Sequence, residues 1–136
     1  MNELFDRISA VFSKAPFVVE LGIELVAVGE GWVETEMTVE EKLRQQHGFA
    51  HAGVVSTLAD HTAGAAASTV IGPDQSVLTA DYTIHLLRPA SGDVLRSRGE
   101  VTKGGRSLIV ASSDVWADEI HCARYVSTLA VVDRTI

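Results

Sequence analysis

Hydrophobic and polar positions change period along the chain, and each change marks an element. Leu4, Phe5, Ile8, Val11 and Phe12 recur at helical spacing with Pro16 just beyond. This predicts a short amphipathic helix over 2–13, within an N-terminal segment 1–15, that covers an open edge of the core. From Ile23 to Val39 the period falls to two. Val33, Thr35, Met37 and Val39 oppose Glu34, Glu36, Thr38 and Glu40, and Gly29-Glu30-Gly31 divides the run. That pattern predicts a hairpin with one acidic, solvated face. Residues 52–71 are rich in Ala, Leu and Val and stop at Gly72-Pro73, so they read as one long helix. Its stretch Ala63-Gly64-Ala65-Ala66-Ala67 makes a narrow waist that can lie close to a sheet.

Only strand patterns follow, near 76–87, 93–102, 107–116 and 121–132. They are broken by Arg88-Pro89 with Ser91-Gly92, by Lys103-Gly104-Gly105-Arg106 and by Ala117-Asp118-Glu119. In the first, Leu78, Ala80, Tyr82, Ile84 and Leu86 alternate with Thr79, Asp81, Thr83 and His85. The order helix, hairpin, long helix, four strands predicts a single α+β domain over 1–136: an antiparallel sheet of about five or six strands covering one dominant helix. The second face of such a sheet is available for oligomer contacts.

Composition narrows the function classes. At 136 residues the chain can bury a core without staples, and a lone cysteine, Cys122, excludes an intrachain disulfide and fits a reducing compartment. No apolar run approaches the roughly 20 residues that span a bilayer. The opening residues lack the apolar core and cleavage site of a secretory signal, so a soluble cytoplasmic protein without a membrane partner is expected. A formal charge of -7 argues against nucleic acid as a partner, although two or three placed cations could still hold a small phosphorylated ligand.

The chemistry concentrates in Gln45 to Ser68, QQHGFAHAGVVSTLADHTAGAAAS. On a helical wheel Ser56, Thr57, Asp60 and Gly64 share one stripe, away from the greasiest surface. Asp60 either pairs locally, with Ser56 or a hydroxyl across the strip, or faces a ligand. His47-Gly48-Phe49-Ala50-His51-Ala52-Gly53 leads into the helix with small residues, either as a plain helix start or as a donor site for a carbonyl or anion. Ala52 and Asp60 are eight residues apart, about 12 Å along a helix axis, too far to act on one carbonyl. If both are catalytic they come from different chains, as two antiparallel copies of the helix across a two-fold axis would allow.

These residues resemble the active-site helix of hotdog-fold acyl-CoA thioesterases of the PaaI-like subgroup. That motif is an Asn, six residues later His-Gly-Gly, then a helix with Leu-x-Asp; here Gln45, His51-Ala52-Gly53 and Leu58-Ala59-Asp60 stand at those places. The similarity runs from about Leu21 onward. It includes the strand Thr79 to Ala90 ending in a proline, and the turn Lys103-Gly104-Gly105-Arg106-Ser107, similar to the family hairpin that touches the nucleotide end of coenzyme A.

The resemblance implies a hotdog fold and hydrolysis of an acyl-CoA thioester, with Asp60 as general base or nucleophile. It also implies that Thr79 orients the water, the Ala52 N–H polarises the carbonyl, and Gln45 and His51 complete the motif. Substrate contacts are expected from Gln46, Gly53, Asp81, Leu86, Arg88, Lys103, Gly104, Gly105, Arg106 and Ser107. Coenzyme A is then part of the substrate, no cofactor is implied, and the site is shared within a homodimer or homotetramer. Gln for Asn at 45 lengthens the amide, and Gln46 could take over its contact. Ala for Gly at 52 adds a methyl but keeps the N–H an oxyanion hole needs.

Other readings remain. His47, His51 and His61 suggest a metal, but the loop-to-helix break keeps them from converging, so none is expected. His51 is expected to fix the loop through its ring nitrogens, and His61 to point to another helix face in a structural or supporting role. No Gly-x-Ser-x-Gly elbow is present, and Cys122 has no evident base. Arg88, Lys103 and Arg106 either meet coenzyme A phosphates or are plain solubilising surface residues. Phe49, Val54 and Leu86 are expected to line the acyl group. A hotdog hydratase or dehydratase, or a non-catalytic acyl-CoA-binding domain, are the rival functions.

Overall fold

The computed structural model describes residues 3–134. Helix α1 (Glu3–Ser13) buries Ile8 and Phe12 as its periodicity predicts; residue 2 of the expected helix lies outside the described residues. Pro16 corrects the sequence reading. It does not merely follow a helix but opens a second one, α2 (Pro16–Leu21), since a first-turn position needs no N–H. The hairpin forms as β1 (Glu24–Gly29) and β2 (Trp32–Thr38).

Helix α3 (Ala52–Ser68) stops three residues before the expected end. Thr69 closes it: its hydroxyl donates to Ala66 O at 2.7 Å and accepts the Gly31 N–H at 2.7 Å, tying the helix end to the β1–β2 turn. The strands β3 (Gln75–Leu86), β4 (Val94–Lys103), β5 (Leu108–Ala117) and β6 (Ile120–Asp133) complete one antiparallel sheet of six, ordered β1-β2-β4-β5-β6-β3. The sheet wraps around α3, which is the hotdog architecture.

The narrow waist lets helix and sheet touch backbone to backbone. A Cβ on Gly99 of β4 would lie 2.7 Å from Thr62 O, so only glycine fits there. Buried hydroxyls join the two layers, with Thr35 and Thr62 bonded at 2.7 Å and Ser113 donating to Ala59 O at 2.8 Å. Each such bond contributes about 1 kcal/mol, but removing one partner leaves a buried polar atom unpaired, which costs more. The helix is thereby fixed in rotation directly before Asp60.

The opposite sheet face carries ion pairs. Arg98 bridges Glu34 and Glu100 while lying 4.5 Å over Trp32, and Asp114 accepts from both His121 and Arg124. The edge strand β3 also exposes apolar side chains, with Leu78, Tyr82 and Leu86 55%, 47% and 52% exposed.

A bulge in β3 overturns the simple alternation read from sequence. Thr79 lies opposite Leu129 of β6, but Asp81 lies opposite Thr128, so Ala80 is an extra residue. Thr79 therefore shares the helix-facing side with Tyr82, Ile84 and Leu86 instead of opposing them. Bulges re-aim side chains in this way, and this one turns Thr79 toward α3.

Candidate active site

The entrance of α3 is a capped helix start with one donor left over. His51 is the N-cap: its Nδ1 accepts the Gly53 N–H at 2.8 Å, and its carbonyl accepts from Val54 at 2.9 Å and Val55 at 3.2 Å. Because Nδ1 is an acceptor here, the neutral ring carries its proton on Nε2. Of the four first-turn N–H groups, only that of Ala52 has no partner among the described residues, and Ala52 is exposed. His51 thus caps the helix through one ring nitrogen, Nδ1.

The preceding loop is held from both sides. Gln45 Oε1 accepts the His47 N–H at 2.6 Å and the Phe49 N–H at 3.2 Å, so the longer amide folds back on its own turn, and its NH2 end has no partner among the described residues. Arg44 is a clamp that sequence reasoning missed. Its guanidinium donates to Val39 O, Gly48 O, Gly92 O and Asp93, joining the loop to the β2–β4 end of the sheet.

Eight residues along α3, half-buried Asp60 accepts from two hydroxyls through the same oxygen. Thr79 Oγ1 donates to Oδ1 at 2.8 Å, and Tyr125 OH donates to Oδ1 as well. Neither partner is Ser56, so the local pairing considered from the wheel is instead made to the sheet. His61 also lines the cleft that holds Asp60, but its ring is turned toward α1 while Asp60 meets β3 and β6. Its ring packs edge-on to Phe12 at 4.5 Å, its buried Nε2 has no partner, and burial, opposed by the Asp60 charge, holds its basicity below the ordinary histidine value.

The two features open into different clefts of one chain. The first, about 530 Å³, is lined by Gln45, Gln46, Phe49, His51, Ala52, Leu86, Arg88, Pro89 and Cys122. The second, about 330 Å³, holds Asp60, His61 and Thr79 among apolar residues of α1, β3 and β6, with Arg7 and Arg134 also lining it. At the first, Arg88 donates to His121 O at 2.8 Å, and burial pushes the Cys122 thiol up.

Several expected contacts fall in neither cleft of the chain. The Gly53 N–H is consumed by His51, and a Cβ there would sit 3.1 Å from the imidazole, so this glycine serves the cap. Val54 is buried in the core, whereas Phe49 and Leu86 do line the first cleft. Asp81 is exposed on the edge strand. Lys103, Gly104, Gly105, Arg106 and Ser107 form an exposed turn, tied by the Val131 N–H to Ser107 O at 2.9 Å, at the Thr79 end of β3 rather than the Leu86 end.

Tyr125 is the site residue that sequence reasoning missed. The signal was present: in the β6 pattern it alternates with Ala123, Ser127 and Leu129 on the buried side, and a buried phenol normally finds a polar partner. Among the described residues no three His, Cys, Asp or Glu side chains converge as a metal site, and no helix is long and apolar enough to cross a membrane.

Comparison with known proteins places this geometry in context. The family described as the thioesterase superfamily matches residues 47–123, the span from the entrance loop into β6. A thioesterase family protein from Silicibacter pomeroyi is similar in structure, with TM-score 0.92 and 34% identity over 96% of this chain and 98% of that one. The 1,4-dihydroxy-2-naphthoyl-CoA hydrolase of Listeria monocytogenes is 31% identical over 90 residues, 66% of this chain and 73% of the relative. The E. coli PaaI protein shares the fold with TM-score 0.86 at 21% identity, over 95% and 93% of the two chains.

Proposed function

The chain belongs to the thioesterase superfamily, and on that premise we propose that it hydrolyses an acyl-CoA thioester to the free acid and coenzyme A, at a site built by two copies of the chain. One observation carries this reading: the unclaimed Ala52 N–H and the Asp60 carboxylate sit in separate clefts on one rigid helix. Each cleft holds half of what acyl transfer needs.

The edge strand supports the pairing. A long, apolar, exposed edge is a template for a second strand. Leu86 marks the Ala52 cleft and Thr79 the Asp60 cleft, so a two-fold axis near Tyr82 and Thr83, midway between them, would bring each chain's entrance to its partner's carboxylate. A dimer satisfies the site; a tetramer would be two such dimers.

In that assembly the thioester oxygen accepts from the partner's Ala52 N–H at the positive end of α3, where negative charge develops in the transition state. By the general-base route water attacks the carbonyl carbon and gives its proton to Asp60, the C–S bond breaks, and the thiolate leaves with that proton as coenzyme A. By the nucleophilic route an Asp60 oxygen attacks, thiolate departs, and water hydrolyses the mixed anhydride. Neither route takes a metal or an organic cofactor. Arg88 from one chain, with Lys103 and Arg106 from the other, are the cations available to coenzyme A phosphates, as the Gly104-Gly105 turn is open to solvent. The lone, buried Cys122 supports a reducing, cytoplasmic setting.

The test is thiol release across a panel of short, medium and aromatic acyl-CoA thioesters, the aromatic members included because the Listeria relative's name carries an aromatic acyl group. At least one member is expected to turn over with kcat of about 1 s⁻¹ or more. Binding of acyl-CoA without thiol release from any member would favour the non-catalytic domain instead.

A further inference from the structure

We propose that Tyr125 is a positioning residue of this hydrolysis: its phenol, donating to Asp60 Oδ1 beside the Thr79 hydroxyl, ties down one carboxylate oxygen and leaves Oδ2 to meet the water or the acyl carbon. The inference rests on Asp60 being the reacting carboxylate, and it concerns which of its oxygens reacts. Both described hydrogen bonds to Asp60 end on Oδ1, and Oδ2 accepts none among the described residues. A carboxylate held at one oxygen by two donors from two different strands cannot rotate about its last torsion without losing both.

Tyr125 is suited to that task. Its ring is fully buried, is flanked by Tyr82 at a centroid distance of 5.0 Å, and stands opposite Ile84 across the β3–β6 ladder. The phenol therefore has little freedom, and rigid support of this kind is what keeps a reacting group in productive geometry. Burial first, and the Asp60 bond second, push its pKa well above the ordinary tyrosine range, while Ser127 and Thr79 pull the other way; the group stays a protonated donor at any working pH. Phenylalanine would fill the same volume, so the hydroxyl is the part that packing does not explain. The other groups facing the carboxylate's cleft are His61 of α3, Arg7 of α1 and Arg134 beyond β6.

Tyr125→Phe should lower kcat about 10- to 100-fold, the order expected for a reacting group released from its geometry, with KM within about threefold, and Thr79→Val should act in the same direction. 3-Fluorotyrosine incorporated into Tyr82→Phe protein labels Tyr125 alone, since the chain has two tyrosines; it keeps the hydroxyl donor, so kcat should stay close to that of unlabelled Tyr82→Phe protein. A Tyr125→Phe protein with parental kcat, or one whose loss appears in KM with kcat unchanged, overturns the proposal, as does a 3-fluorotyrosine protein that loses as much as Tyr125→Phe. If Tyr125→Phe does not fold, Thr79→Val, which removes the other donor to the same oxygen, is read by the same split, and parental kcat there overturns the proposal. A parent protein that releases thiol from no acyl-CoA would sink the hydrolase reading alone.

Discussion

Asp60→Asn is expected to abolish measurable thiol release from acyl-CoA while leaving assembly and ligand affinity as they are. Asparagine has the shape of aspartate, and its Oδ1 can still accept from Thr79 and Tyr125, so the helix and both strands keep their contacts. The amide can neither take a proton from water nor attack as an anion, and loss of such a group costs about 10²- to 10⁴-fold in kcat. The measurements are thiol release, sedimentation and calorimetry with coenzyme A product. Full activity in the variant would remove Asp60 from the reaction and with it the reason for the second cleft.

Ala52→Pro should be nearly as damaging, for a reason confined to one hydrogen atom. Position 52 is the first residue of α3, where proline is accommodated because its missing N–H has no helical acceptor. His51 before it has φ −61° and ψ 142°, the extended conformation that a following proline demands. The substitution therefore deletes the one unclaimed donor of the entrance and little else. Loss of a single oxyanion donor costs about 10²- to 10³-fold in kcat. Ala52→Gly, which keeps the N–H, should stay close to the parent. Helical content and melting temperature check that α3 is intact. An Ala52→Pro protein with parental kcat would show that the carbonyl is polarised elsewhere.

Much of this frame was readable from periodicity. The hairpin, the long helix and the four closing strands follow from changes of period and from glycine and proline breaks. Asp60 stood out because a carboxylate does not lie on a small-residue stripe without cause. The departures have local physical origins. Pro16 reads as a stop until the α1 chain ends early enough for proline to occupy a first helical turn. The end of α3 was set by the Thr69 hydroxyl, which competes for the final carbonyls and is anchored by a distant Gly31.

The bulge at Ala80 leaves no mark in an alternation count, yet it decides that Thr79 meets Asp60. Gly53 matched a motif, but its N–H serves the His51 cap, a choice made by imidazole geometry rather than by residue type. Tyr125 could have been suspected as a buried hydroxyl, but its partner lies 65 positions away, beyond the reach of any local pattern.

The central claim, that each site joins Ala52 of one chain to Asp60 of another, is tested most directly by mixing two inactive proteins. Asp60→Asn chains and Ala52→Pro chains are unfolded together in equal amounts and refolded, so that about half the dimers contain one of each. In a mixed dimer one shared site carries both defects and the other carries neither. Thiol release should return to about a quarter of the parental rate, one intact site of two in half of the dimers. A mixture no more active than its two parents, with mixed dimers shown to be present by mass spectrometry, would mean that both groups act within one chain, and the shared site would be wrong.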